Sequence, residues 1–371
     1  MSSNITDSSI QQWIAFCDGI KASGIELLEA GRDADSVSQA EGLRYLTRIL
    51  RSGIEKFVEY WDPIDPYMAV TYNDRLKWGM DNPDSRYAIS RVDGTLEYEL
   101  SGNKGDVAYL NLTSAKMGTN ARQVTTGFLD GDAIETDGEG NFTIHIGGPE
   151  RPGNWLKLEP ESNSVMLREN YSDRASQQEV SCKIRLLTPV DANRPVTIEE
   201  SVERTQQALG FFTNTGRTFM GLTRLMEKLE NTLPPVDQKL MDAMGGDPNY
   251  AYYWSSFNLA PGEALLVHFP EVPESEYWGL CLYNYWLESL DYTKALTNLN
   301  CFNSHLNSDG SLTIVIADEK PLGGNWLNTL GHARGNMMMR WTKRKKAIDP
   351  ATELVRLTDV DWTARLRRWA D

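Results

Sequence analysis

From Ser9 to about Ala30 the apolar residues Ile10, Trp13, Ile14, Cys17, Ile20, Ile25 and Leu28 recur at roughly helical spacing, which predicts a first amphipathic helix. After the breaker stretch GRDAD, Ser38 and Glu41 stand in capping-box spacing ahead of a second stripe, Leu43, Leu46, Leu50, Ile54, Phe57 and Val58. That helix should end near Trp61, where Asp62-Pro63 stops it. From about Arg86 to Leu187 the pattern changes to short runs rich in Val, Ile, Tyr, Thr and Leu between Asp-Gly, Ser-Gly-Asn and Gly-Gly-Pro turns, which predicts β-structure. Thr197-Ile-Glu-Glu200 is another capping box. It signals a third helix that runs, with interruptions at Gly210 and Gly216, to about Asn231 before Pro234-Pro235. A second run of short strands occupies about Tyr250 to Trp341, and DVDWTARLRRW closes the chain as a last short helix.

The two β-rich stretches are copies of one unit. Gly140-Asn-Phe-Thr-Ile-His-Ile146 aligns with Gly310-Ser-Leu-Thr-Ile-Val-Ile316. Each copy then reaches Asn-Trp-Leu, at Asn154–Leu156 and at Asn325–Leu327, and Met166-Leu167-Arg168 aligns with Met338-Met339-Arg340. Upstream, Arg86-Tyr87-Ala88 and Leu96–Leu100 parallel Asn249-Tyr250-Ala251 and Ala264–His268 more weakly. The expected fold is α+β and mainly β: two repeated antiparallel β-sandwich or jelly-roll-like modules, an N-terminal helical pair and a linking helix. The expected boundaries are 1–80 for the helical region, 81–193 for the first module, 194–245 for the linking helix and loop, and 246–371 for the second module. In such modules Trp and Leu can plug the core while Asn closes a turn, so the shared tripeptide reads first as scaffold.

Composition narrows the function classes. A chain of 371 residues with 40% hydrophobic and 24% charged residues is ordinary for a folded protein. Its net charge of -15 repels phosphate backbones and anionic lipid, so neither nucleic acid nor membrane is an expected partner. The basic run Lys343-Arg344-Lys345-Lys346 is too short to reverse that and reads as a solvated loop. Cys17, Cys182, Cys281 and Cys301 lie far apart, so reduced and mostly buried thiols are expected. MSSNITDSSIQQW lacks the features of a signal peptide, and no long apolar window occurs, which makes the cytoplasm the expected location. The nucleotide-binding and serine-hydrolase glycine motifs are absent. His145, His268, His305 and His332 never pair at ligand spacing, so no metal and no cofactor are expected.

Chemistry needed only once should appear in one copy alone. After Asn-Trp-Leu the first copy reads KLEPESNSVMLRE, whereas the second reads NTLGHARGNMMMRW, where two glycines flank His332 as in a tight turn presenting an imidazole. The second copy also carries Tyr283-Asn284-Tyr285-Trp286-Leu287-Glu288-Ser289-Leu290-Asp291-Tyr292. If that stretch is extended, period-two alternation puts Asn284, Trp286 and Glu288 on one face, and Asp291 on the other unless a bend intervenes. Histidine with a carboxylate is the minimum equipment for acid/base work near neutral pH, and Arg340 could hold a substrate carboxylate or oxyanion. The bland alternatives are that His332 caps a turn, that Glu288 pairs with Arg340 structurally, and that the aromatics are core.

The block from about Glu263 to Leu357, with NYWLESLDY, the Asn300 and Ser308-Asp309-Gly310 region, NWLNTLGHARG and MMRW, resembles the family catalogued as domain of unknown function 1214. AEGLRYLTRIL, LKWGMDNPDSRY and YELSGNKGDVAYLNL are similar to the leading segment of many bacterial members. The resemblance implies a β-rich fold, no established reaction, and an accessory role in bacterial catabolism of steroid-like or other hydrophobic compounds. By similarity Asn284, Trp286, Glu288, Asp291, Tyr292, Asn325, Trp326, His332, Arg340 and Trp341 are motif positions. The stretch Asn298–His305 departs from the expected pattern, which leaves the place of His305 open.

Three functions compete. The first is a cofactor-independent enzyme acting on a small, hydrophobic or ring-containing metabolite by hydrolysis, elimination or isomerisation. In it His332, Glu288 and Arg340 would be catalytic, and Asn284, Trp286, Asp291, Tyr292, Asn325 and Trp326 would bind substrate. The second is a non-catalytic binding protein for a small molecule or carbohydrate, and the third is a structural homo-oligomer.

Overall fold

Helix capping and close packing shape the start of the chain. The computed structural model describes residues 2–60, 62–119, 122–190, 195–244 and 246–361. It opens with α1 (Ser2–Ala30) and α2 (Ser36–Ile54), and α2 ends in a wider π turn, Glu55–Glu59. Asp35, not Ser38, caps α2: its Oδ1 accepts from the N–H groups of Val37 and Ser38, and Ser38 Oγ donates to Oδ2. A carboxylate there also suits the positive end of the helix dipole.

The large apolar residues of α1 are not its buried stripe. Ile10, Trp13, Ile14 and Ile25 are exposed, and burial falls on Ser23, Gly24 and Leu27. Close approach is the reason, because helix separation follows the size of the side chains in contact. A Cβ on Gly19 would stand 2.5 Å from Leu209, and one on Gly216 would stand 2.5 Å from Leu27. Ser23 Oγ lies 2.7 Å from Thr213 Oγ1.

The linking helix α3 (Ile198–Met226) opens on the expected capping box: Thr197 N–H donates to Glu200 Oε2 at 3.0 Å, and Glu200 N–H to Thr197 Oγ1 at 3.2 Å. It runs unbroken through Gly210 and Gly216, where interruptions were expected. Packing outweighs the roughly 1 kcal/mol that each glycine costs a helix. A short α4 (Gln238–Asp242) follows. The helix expected at the C-terminus lies, from residue 362 onward, outside the described residues.

Two runs of strands follow one plan. The first contains β1 (Ala69–Val70), β2 (Ser85–Arg91), β3 (Tyr98–Asn103), β4 (Tyr109–Met117), β5 (Gln123–Asp130), β6 (Asn141–Ile146), β7 (Trp155–Leu156), β8 (Ser164–Asn170) and β9 (Ser181–Leu186). The second contains β10 (Tyr250–Asn258), β11 (Glu263–Phe269), β12 (Tyr277–Tyr283), β13 (Asn298–Asn300), β14 (Leu312–Ala317), β15 (Asn325–Asn328), β16 (Arg334–Thr342) and β17 (Ala351–Arg356). Sheet orders β2-β8-β4-β5 and β7-β6-β3-β9 in the first run match β10-β16-β12-β13 and β15-β14-β11-β17 in the second, with β1 as an extra edge strand on β2. The repeat read from the sequence is thus a repeat of topology, and each copy has its own apolar core. By packing, the chain forms two compact units. One comprises Met1–Thr71, Tyr87–Glu169 and Gln178–Met220; the other comprises Tyr72–Arg86, Asn170–Gln177 and Gly221–Asp371.

The duplicated Asn-Trp-Leu does the same work twice. Asn154 Nδ2 donates to the carbonyls of Glu135 (2.8 Å) and Thr143 (3.1 Å), and its Oδ1 accepts from Glu135 N–H (2.8 Å). Asn325 Nδ2 donates to the carbonyls of His305 (2.8 Å) and Thr313 (2.9 Å), and its Oδ1 accepts from His305 N–H (2.8 Å). Trp155 and Trp326 each donate Nε1–H to a carbonyl, of Gly147 and Ala317, while Leu156 and Leu327 fill the two cores. Each asparagine fastens a loop to the one parallel strand pair of its sheet, β6 with β7 or β14 with β15. His305 is exposed and takes part through its backbone. The four cysteines are free thiols, but only Cys281 is buried; Cys17 and Cys301 are exposed, contrary to the expectation of mostly buried thiols.

Asn325 is buried and Asn154 half-buried, so replacement by alanine should differ in cost. Asn325→Ala is expected to lose about 2–3 kcal/mol and Asn154→Ala about 1 kcal/mol. Urea unfolding of the two variants measures this, and an equal or reversed order would contradict the shared-staple account.

Candidate functional site

The sheet β10-β16-β12-β13 is buried on both faces, and its two faces differ in chemistry. Met337, Met339 and Trp341 of β16, with Trp278, Leu280 and Leu282 of β12, face the apolar core. Alternation therefore sends Asn336, Met338, Arg340 and Thr342, with Tyr277, Cys281 and Tyr283, to the other face. All seven are buried, and burial pushes the Cys281 thiol up and both phenols well above their usual range.

Residues 72–86 supply the charges for this face. Asp81 accepts from Ser289 N–H at 3.0 Å and from Ser289 Oγ at 2.7 Å. Burial raises its pKa above the usual carboxylate range, against the pull of Lys77, Ser289 and Arg340. Lys77 Nζ donates to the carbonyls of Ser289 and Leu290, both at 3.1 Å, and sits 4.2 Å from the centroid of the Tyr292 ring. Arg340 donates to Tyr283 Oη at 2.7 Å and to the Met80 carbonyl at 2.6 Å. Asp84 accepts from Tyr277 Oη (2.8 Å), Asn298 Nδ2 (2.9 Å) and Asn300 Nδ2 (3.1 Å), while burial raises its pKa. Tyr277 reaches it by lying across Gly279, where a Cβ would come within 2.3 Å of the phenol oxygen.

The stretch from Asn284 to Tyr292 is a turn, not a strand. Asn284 Oδ1 accepts from the N–H groups of Trp286 and Glu288, and its Nδ2 donates to Glu288 Oε2 at 2.9 Å. Leu287 has φ 59° and accepts from the N–H of Met80, itself at φ 61°. Asn284 and Glu288 therefore meet, as alternation suggested, through a closed turn. Trp286 is 1% exposed, so it is core and forms no open wall. Asp291 caps the next turn, where the Thr293 hydroxyl and Lys294 hold its carboxyl down at about 2.

His332 belongs to a different place. It follows Leu330 and Gly331, both at positive φ, in the turn between β15 and β16, whereas Arg340 lies near the far end of β16. Arg334 to Arg340 alone spans roughly 20 Å of strand, so the imidazole and the guanidinium do not share a substrate. His332 is 8% exposed, and its Nδ1 lies 2.7 Å from the Thr329 carbonyl. A carbonyl only accepts, so Nδ1 carries a proton and donates it there.

Beside His332 lies a cleft of about 190 Å³ walled by Glu263, Asp318, Glu319, Thr329 and the backbone of 259–262. Asp318 Oδ1 accepts from Gly331 N–H at 2.7 Å, and Glu263 Oε2 from Ala260 N–H at 2.9 Å, which fixes two of the three carboxylates. Thr329 Oγ1 is fully buried on the cleft wall without a hydrogen-bond partner. A second void, beside Asn336, has about 10 Å³ and room for a water at most. Trp286, Trp326 and Tyr292, expected as pocket walls, do not line the cleft. Among the described residues no three His, Cys, Asp or Glu side chains converge as a metal site would need.

A family model described as protein of unknown function (DUF1214) matches residues 257–345. A crystal structure of an uncharacterised protein from Burkholderia cenocepacia is 33% identical and superposes with a TM-score of 0.93 over 97% of this chain and 100% of that one. The C-terminal region of the chain, residues 257–345, is a DUF1214 module. A structure of the VPA0106 protein from Vibrio parahaemolyticus is 14% identical, with a TM-score of 0.48 over 90% of this chain and 100% of that one. No curated protein matches the chain. No helix among the described residues is long and apolar enough to cross a membrane.

The region matched by the DUF1214 model holds the whole lining of the His332 cleft, and it supplies Tyr277, Tyr283, Glu288 and Arg340 to the polar face. Lys77, Asp81 and Asp84 come from outside it. Sequence reasoning missed those three as site residues, although LKWGMDNPDSRY carries a signal: charged residues set among Trp, Gly and Met beside a Pro, where a solvated loop needs no large apolar groups. Lys77→Met should strand the carbonyls of Ser289 and Leu290 and remove a counter-charge from Asp81. The expected loss is about 3–5 kcal/mol in urea unfolding followed by tryptophan fluorescence; a loss below about 1 kcal/mol would show that the ammonium is not part of a coupled buried set.

Proposed function

We propose that the second unit binds a small organic molecule in the His332 cleft and carries out cofactor-independent acid/base chemistry on it, as in an elimination, isomerisation or hydrolysis. The observation that carries this reading is an imidazole, held through Nδ1 by a backbone carbonyl, on the wall of a cleft large enough for a compact ligand. His332 would be the group that transfers the proton. Glu263, Asp318 and Glu319 would favour an amine or polyhydroxyl group over an anion. The lining thus supports a polar or positively charged ligand better than the hydrophobic or ring-containing one expected from the sequence.

The second reading is non-catalytic binding at the same cleft. It is favoured by the engagement of Glu288 with Asn284 and of Arg340 with Tyr283 and Met80, groups that an enzyme built as first expected would turn toward substrate.

Thermal-shift screening of the wild type and His332→Asn against amines, amino sugars, polyols, steroids and aromatic acids, with mass spectrometry of every hit, separates the readings. The proposal expects an amine or polyhydroxyl hit that stabilises both proteins and is converted only by the wild type, with turnover down at least 100-fold in the variant. Stabilisation without conversion would leave the binding reading. Hits confined to steroids and aromatic acids would move the site away from this cleft.

A further inference from the structure

The residues that α1 leaves outside form a seam of their own, far in sequence from the His332 cleft and independent of the reading above. The helix turns Gly19, Ser23, Gly24 and Leu27 inward. At about 100° per residue its opposite side carries Gln11, Ile14, Asp18, Lys21, Ile25 and Leu28, spaced by three and four in strict alternation. Such a spacing presents one stripe to a second helix along its whole length. Five of the six are exposed, Ile14 by 45% and Ile25 by 50%, and Leu28 is half-buried.

Residues 8–18 have the composition of a contact surface. None of them is buried and only Phe16 is half-buried, yet a short helix without packing is marginal in water. They carry one charge, Asp18, in eleven residues, against 24% for the chain. Loss of charge beside Trp, Phe and Ile marks the centre of an interface, whereas a solvated helix face is rich in charge.

The two charges in the middle of the seam say what covers it. Among the described residues Asp18 and Lys21 pair with nothing, whereas Glu26 and Glu29 on the same helix are engaged by Arg217 at 2.6 Å and Arg32 at 3.5 Å. If two copies lay parallel, Asp18 would meet Asp18 and Lys21 would meet Lys21. If they lie antiparallel about a two-fold axis between these residues, Asp18 of each copy meets Lys21 of the other, Ile14 meets Ile25, and Gln11 meets Leu28. The seam is therefore its own complement, and its charges select the antiparallel orientation.

We infer that two copies of the chain form a two-fold dimer through α1, with the helices antiparallel and reciprocal Asp18–Lys21 pairs at the centre of the contact. Isoleucines on both sides of those pairs supply the apolar burial, and the pairs fix register and direction. About 30 Å of helix in contact buries on the order of 1,000 Å² in total, the lower edge for a specific interface, so the dimer dissociates reversibly on dilution.

Sedimentation equilibrium of the full chain, from about 1 to about 100 µM, tests this. The wild type should pass from monomer to dimer across that range. Asp18→Lys leaves only positive charges at the centre of the seam and Lys21→Asp only negative ones, so each should weaken dimerisation at least about tenfold. Both positions are exposed, and circular dichroism should stay unchanged. Combining the two substitutions in one chain should restore the dimer, and mixing the two single variants should give a heterodimer. A wild type that is monomeric at about 100 µM would overturn the inference and leave the seam to a different protein. Single reversals that leave dimerisation unchanged, or a doubly substituted chain that stays monomeric, would overturn it as well.

Discussion

The second unit depends on burying Asp81 within the electrostatic reach of two cations, Lys77 and Arg340. An isolated carboxylate inside a protein costs several kcal/mol, and a buried ion pair persists only where the remaining hydrogen-bonding capacity of each partner is also met. Here Ser289 gives the carboxylate two hydrogen bonds, while Lys77 and Arg340 spend their donors on the carbonyls of Ser289, Leu290 and Met80 and on the Tyr283 phenol. These bonds tie residues 72–86, the Asn284–Tyr292 turn and the strands β12 and β16 into one arrangement. The positive φ of Met80 and Leu287, which face each other through a backbone hydrogen bond, follows from the same constraint: ordinary side chains take this conformation only where their surroundings over-determine it.

This constraint bears on function. Arg340, Glu288 and Asn284 have the chemistry of an active site, yet their donors and acceptors are turned toward the protein itself. Arg168, aligned with Arg340 in the first copy, is likewise buried, with its guanidinium 5.4 Å from the centroid of the Tyr87 ring, so an arginine at this strand position belongs to the scaffold that both copies share. What the second copy adds is the Gly331-His332 turn and its acidic cleft.

Much of the fold was legible in the sequence. Turn residues and period-two runs located both sets of strands, and the matched blocks around Asn-Trp-Leu revealed the duplication before any topology was known. The Thr197 capping box worked because its two bonds are local, between residues three apart. The reading failed where tertiary contacts override local pattern. The α1 stripe was assigned from large apolar residues, whereas close packing selected Gly19, Ser23 and Gly24 for the buried side. Linear proximity makes His332 and Arg340 look like one constellation, yet Arg334 to Arg340 alone spans roughly 20 Å of β16. Lys77 and Asp81 were passed over because a buried ion cluster joins residues some two hundred positions apart, which no local periodicity reports.

A double-mutant cycle on Asp81→Asn and Arg340→Met, read by urea unfolding, tests most directly whether the buried charges act as one unit. The account predicts that the two substitutions are strongly non-additive, with a coupling of about 1.5 kcal/mol or more, because each variant already strands the partner that the other would remove. Additivity within about 0.5 kcal/mol would contradict it, and would mean that the two groups are held separately, with no shared ionic core in the second unit.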